Sequence, residues 1–252
     1  MSQTAYPLTQ PIGVNGQLAD TGFHDVLTYN NPSVVIPFGR LLEKISGDAN
    51  GVQLPDDGSA NIVGVSLRDI SREGTNYPLQ SPVAVLRKGR MLVEVEEAVT
   101  PDSVPHYRFD GKKQQILIDF SGDFVASNTI NLNVNGSPIS QVTFSADQAT
   151  TAGLLKAAIE AMPGVDVVNV SGNDFTVVSE MDAALEITGV VVTGGASQAT
   201  ATVTQTVAGV PTSDRGKLRA STDSGTAAPA SGMKFLTEAS AGELAVLDVN
   251  IP

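Results

Sequence analysis

Cysteine is absent from all 252 residues, which excludes disulfide staples, thiolate metal ligands and a cysteine nucleophile together. Tryptophan is absent as well, and aromatic residues make up only 5% of the chain. Few large rings remain to line a cofactor pocket, so the core falls to Val, Ile, Leu and Ala. The two histidines, His24 and His106, are too few for a multi-histidine metal cage. Positive charge is scarce: 15 Lys and Arg stand against 27 Asp and Glu, a formal net charge of −12. Without a concentrated basic face the chain is unsuited to gripping phosphate backbones, and no nucleic-acid partner is expected. No apolar run approaches the length of about 18 residues that marks a membrane span. The opening MSQTAYPLTQ lacks the basic segment and apolar stretch of a secretory signal. The expectation is a soluble, non-secreted protein poor in catalytic side chains.

What is present is turn chemistry. The chain has 24 Gly and 14 Pro, and 41% of its residues are hydrophobic, spread over short runs. Val34–Ile36, Ile62–Leu67, Val83–Leu86, Met91–Val95 and Leu244–Val249 are each bounded by Gly, Pro, Asn, Asp or Ser, the pattern of short strands. One segment, 145–164, has helical spacing, with Leu154, Leu155, Ala158, Ile159 and Met162 on one face. Ser145 or Asp147 caps its start, and Pro163-Gly164 stops it. The fold class is mainly β: a small antiparallel barrel or sandwich with an extended N-terminal arm and an inserted compact α+β domain.

The segments differ in character. Residues 1–32 read as an arm: Pro7 and Pro11 block helix, while Gly13, Gly16 and Gly22 loosen sheet. Yet the arm carries Tyr6, Leu8, Ile12, Val14, Leu18 and Phe23, too apolar for a plain disordered tail. Such a segment lies along another surface, its own domain or a neighbouring subunit. Residues 33–114 are strand-rich. Within them VLRKGRMLVEVE reads as a hairpin turning at Lys88-Gly89, with Arg87, Lys88 and Arg90 forming a solvated or salt-bridging rim. Residues 115–209 hold one basic residue, Lys156, against nine acidic ones. Their order is three strands, the helix, then four strands, with Asn135-Gly136 and Gly172-Asn173 at hairpin turns. Residues 210–252 return to the earlier style, and the closing ELAVLDVNI is expected to turn Leu244, Val246 and Leu247 inward. If that last strand joins the 33–114 block, residues 115–209 are an insertion between the two parts of a discontinuous domain.

A search for chemistry returns absences. GxSxG, GxxxxGK[ST], HExxH and DxDxDG are all missing. The glycines of GVNG (13–16) and VVTGG (191–195) precede no helix start, so they lack a phosphate-cradling context. His24-Asp25 has no nucleophile context and reads as a turn. Glu94 and Glu96 alternate with Val93 and Val95 and read as the wet face of a strand. No catalytic residue, cofactor site or metal site is assigned.

The order of motifs carries a family resemblance. The Gly-rich arm TQPIGVNGQLADTGFHDV leads to Pro37-Phe38-Gly39-Arg40, then to the strand Ile62–Asp69, then to Val85–Val93, and the chain closes with SGMKFLTEASAGELAVLDV at 231–249. This resembles the tailed-bacteriophage structural cement, or capsid decoration, proteins over roughly 1–113 and 211–252. ASNTINLNVNGSPISQVTFSADQATTAGLLKAAIEAMPGVDVVNVSGNDFTVVS is similar to a small α+β module that recurs in phage structural proteins. The resemblance implies a non-enzymatic protein, made in the host cytoplasm and seated on the outer surface of the capsid. It would bind and bridge the phage major capsid protein, commonly as a homotrimer. Tyr6, Leu8, Ile12, Val14, Leu18 and Phe23 are then the capsid-contact candidates. A tail or baseplate structural protein and a virion-surface glycan-binding domain stay open as alternatives.

Overall fold

The computed structural model describes residues 13–72, 74–195 and 198–252. The chain divides into two compact units, one formed by the residues up to Asp110 with Asp214–Pro252, the other by Gly111–Ser213.

The first unit opens with β1 (Asp25–Asn30), β2 (Ile36–Pro37), β3 (Leu41–Lys44) and β4 (Val52–Gln53). It continues with β5 (Ile62–Ser66), β6 (Asn76–Tyr77), β7 (Pro82–Glu94) and β8 (His106–Arg108). The second unit holds β9 (Gln115–Phe120), β10 (Thr129–Val134), β11 (Ser137–Pro138), β12 (Val142–Thr143) and α1 (Gln148–Glu160). After the helix come β13 (Val165–Ser171), β14 (Asp174–Ser179), β15 (Ile187–Thr193) and β16 (Ala201–Val207). The chain then returns to the first unit with β17 (Leu218–Arg219), β18 (Ala227–Pro229), β19 (Met233–Phe235) and β20 (Leu244–Asn250). The protein is mainly β with antiparallel sheets, as its composition predicts. Among the described residues the sheets are open and sandwich-like and do not close into a barrel.

In the first unit the main sheet runs β19-β20-β7-β5-β3-β4, with β1 also on β7. β7 is one continuous strand of 13 residues, not the hairpin expected at Lys88-Gly89. Gly89 stays inside the strand with φ +129°, where a Cβ would stand 2.6 Å from Cδ2 of His24. The glycine makes room for a neighbouring ring rather than a turn. Partners on one edge change along the strand: Leu86 faces Val65 of β5, and Lys88 faces Asn250 of β20. The opposite edge belongs to β1, which pairs Val26 with Leu86 and Tyr29 with Val83. The β20 register sets Ala245 opposite Val93 and Leu247 opposite Met91. Ala245, Leu247 and Val249 are therefore the buried residues, and the inward set expected from the sequence is out of phase for Leu244 and Val246. Strand periodicity of two leaves no room for Val246 and Leu247 on the same face. Leu41, Leu86, Met91, Tyr107, Phe235 and Leu247 fill the main core of this unit, and Ile36, Phe38, Leu42 and Tyr77 a second cluster.

The second unit packs two four-stranded sheets and α1 about one core that includes Ile118, Phe120, Leu132, Leu155, Ile159 and Phe175. Phe120 meets Phe124 and Phe175 edge-on, at 5.0 and 5.6 Å. Asp147 caps α1 by accepting a 2.7 Å bond from the Thr150 N–H. The helix buries Thr151, Ala152, Leu155 and Ile159. Leu154, expected on that face, lies about 100° round the helix from Leu155 and is exposed. Asn135 and Gly136 have positive φ between β10 and β11, as a two-residue hairpin turn requires. The ends of the unit meet, since Lys112 and Val210 exchange backbone hydrogen bonds of 2.7 and 2.8 Å.

Candidate functional site

Two features of the first unit bear on function: the segment leading into β1, and a buried ionic cluster behind β8.

Residues 13–30 lie along the β7 edge. Gly16 N–H donates to Leu92 O and Leu92 N–H to Gln17 O, both at 2.8 Å, and Ala19 N–H donates to Arg90 O at 2.9 Å. The Asn15 side chain is the pin. Its amide donates to Phe38 O at 2.8 Å and accepts from Glu94 N–H at 3.0 Å. That amide occupies the space where a Cβ on Gly39 would sit, and Gly39 has φ +73°. The glycine of the Pro37-Phe38-Gly39-Arg40 motif is thus required by a contact with the arm. Leu18 packs against the main core and bridges to Met91. Between this pinned stretch and β1 the chain loops outward, and Phe23 is 82% exposed. Val14, Val26 and Leu27 are also exposed. Of the six candidate contact residues, then, Phe23 and Val14 face solvent and Leu18 faces its own core. Tyr6, Leu8 and Ile12 lie outside the described residues.

His24 does not pair with Asp25. Its Nε2 stands 3.4 Å from Asp20 Oδ1, while Asp25 opens β1 opposite Lys88. Arg90 forms a rim, reaching Asp20 at 3.4 Å and Asp248 at 3.9 Å, and Arg87 donates to the Pro252 carbonyl oxygen.

The ionic cluster is what sequence reasoning missed. Arg108 on β8 is fully buried. Its Nε donates to both Glu96 oxygens at 2.8 and 2.9 Å, and its Nη2 reaches Asp223 at 2.6 Å. Arg219 on β17 reaches Glu96 and Asp223, both at 3.1 Å, and Glu97 at 2.9 Å. Glu96 is consequently not on a wet strand face; it is shared between two buried guanidinium groups. Burial opposes the charge on Arg108, but Glu96 and Asp223 more than offset it and hold its pKa above the ordinary arginine value. Arginine keeps its proton throughout the working pH range, so these groups lock β8, β17 and the turn at 223–225 together. The only local signal was Arg108 within the short buried strand HYR.

With this geometry in view, the comparisons decide the family. The family model described as structural cement protein (E217 gp24/Pam3 gp6) matches residues 1–160. The chain belongs to this phage cement family. The match covers the arm, the Gly39 motif and β1 to β8 and continues into the second unit; the closing segment 231–249 lies beyond it. No curated protein matches the chain. Among solved structures, a chain of "The capsid of Myoviridae Phage XM1" is 12% identical, with 99% of this chain and 97% of that one covered and a TM-score of 0.46. A chain of "Mycobacterium phage Patience" is 16% identical, with 92% and 93% covered and a TM-score of 0.41. As a cement protein the chain has a structural role in the phage virion, in association with capsid proteins.

Proposed function

We propose that this cement protein binds the outer surface of the phage capsid and bridges neighbouring major capsid proteins, without catalysing a reaction. The observation that carries the reading is the outward loop of the arm. A Phe side chain that is 82% exposed is held between a segment pinned by Asn15 and the paired strand β1. An aromatic presented from a rigid base loses little conformational freedom on docking, which suits it as an anchor. Phe23 and Val14, with Tyr6, Leu8 and Ile12 before them, are the contact residues in this reading, and Leu18 fixes their base. Many copies on one shell add their contacts, so each one can be modest. The family supports a homotrimer made in the host cytoplasm, and the net charge of −12 supports partners other than nucleic acid or membrane.

Co-sedimentation with undecorated capsids tests this. Phe23→Ala should weaken attachment about tenfold, a loss of about 1.4 kcal/mol per contact, while the melting curve stays unchanged. Deleting residues 1–20 should weaken it as well. Unchanged attachment of both variants removes the arm from the mechanism.

A further inference from the structure

Asparagine followed by glycine occurs three times, at Asn15-Gly16, Asn50-Gly51 and Asn135-Gly136. The pair is chemically labile, because glycine has no side chain to screen its nitrogen from the neighbouring amide carbon. Two of the three are clamped by the fold. Asn15 donates to Phe38 O at 2.8 Å and accepts from Glu94 N–H at 3.0 Å, and Gly16 N–H donates to Leu92 O at 2.8 Å. Asn135 accepts from Glu186 N–H at 2.8 Å and donates to Pro163 O at 3.4 Å. Asn50 differs. It is exposed in the turn that joins β3 to β4, after Gly47 at φ +81°. Its N–H donates to Asp48 Oδ1 at 2.9 Å, and its carbonyl accepts from Asn30 N–H at 2.8 Å. Among the described residues neither its side chain nor the Gly51 N–H makes a hydrogen bond. A Cβ on Gly51 would meet first the Asp48 carboxylate, a side chain of the same turn.

We propose that Asn50 is a self-modification site, where the folded chain deamidates to isoaspartate and aspartate. The Gly51 nitrogen gives up its proton and attacks Asn50 Cγ. The N–Cγ bond forms and the Cγ–Nδ2 bond breaks. Nδ2 takes a proton and leaves as ammonia, and a five-membered succinimide remains. Water then opens the ring at either carbonyl. Opening at Cγ gives aspartate; opening at the former main-chain carbonyl gives isoaspartate. Both products place a new carboxylate beside Asp48 and take the formal net charge one unit below −12. Isoaspartate does more, because the main chain now runs through Cγ and gains a methylene. The carbonyl that accepts the Asn30 N–H becomes a free carboxylate outside the main chain. Asn30 closes β1, so the change loosens the tie between this turn and the end of that strand.

Ageing the full chain in mildly alkaline buffer, followed by peptide mass mapping, tests this. Trypsin isolates residues 45–68, which hold Asn50, from the peptides that hold Asn15 and Asn135. The mass gain of an amide turned to acid should appear at Asn50 about tenfold faster than at either clamped site, where side-chain hydrogen bonds must break first. In denaturant the clamps are gone and the three rates should converge. By hydrogen exchange, the Asn30 amide should be less protected in aged chains than in fresh ones, and aged Asn50→Gln chains should keep its protection. Conversion at Asn50 no faster than at the two clamped sites, or a difference that persists in denaturant, overturns the proposal. No measurement involves capsids, so the result stands apart from the arm's role.

Discussion

Glu43 on β3 is a buried carboxylate that, among the described residues, has no cationic partner. It accepts a 2.6 Å bond from the Gln53 amide, and burial, with Asp56 and Asp57 nearby, raises its pKa above the ordinary glutamate value of 4.5. A carboxyl whose folded pKa is raised binds its proton more tightly in the folded state. Its contribution is thus most favourable below the unfolded pKa and declines as pH rises through the folded one. Glu43→Gln should stabilise the protein at neutral pH, and the gain should vanish as the pH falls below 4.5. Denaturant titrations across that range check this, and a gain that persists in acid contradicts it. None of this was legible in the sequence, where Glu43 is one of many acids. The Arg108 cluster was equally hidden, because Glu96, Arg108, Arg219 and Asp223 meet only through tertiary pairing. Asn15 could not be foreseen either, although the glycine it requires at position 39 stood out as a motif.

Among the elements, α1 was readable because its spacing, cap and stop agree and all act locally. The alternating strands of the second unit were readable for the same reason. β7 was not. A Lys-Gly pair is a turn signal by local rules, yet here the glycine accommodates His24, a residue that only the fold brings near. Gly89→Ala should therefore destabilise the first unit by more than about 1 kcal/mol. The added methyl group meets the His24 ring at 2.6 Å, and φ +129° disfavours any side chain. If Gly89→Ala melts like the parent, Gly89 is no more than a flexible link. The β20 phase failed for a related reason: Val246 and Leu247 are both apolar, and only pairing with β7 decides which of them is inward.

For the whole molecule, the mainly β class and the sandwich-like sheets followed from composition and turn spacing. We infer that residues 115–209 are an inserted domain able to fold by itself, since among the described residues its core shares no member with the other clusters. Where the insertion joins, Lys112 lies beside Val210, while Tyr107 pairs with Leu218 in the first unit. Replacing 115–209 with a short Gly-Ser bridge should leave a soluble remainder that still co-sediments with capsids; an insoluble product would falsify the separation of cores.

The pairing of β7 with β20 also dictates an order of events during synthesis. As the ribosome delivers the chain, Pro82–Glu94 emerges early, and the strand that completes its edge, Leu244–Asn250, arrives only after the whole of Gly111–Ser213. Contacts so distant along the chain form slowly. The second unit, whose strands pair within their own stretch, is finished while half of the β7 edge still waits for its partner. The opposite edge of β7, by contrast, is met by residues 16–19 and 25–30, which precede it in the chain.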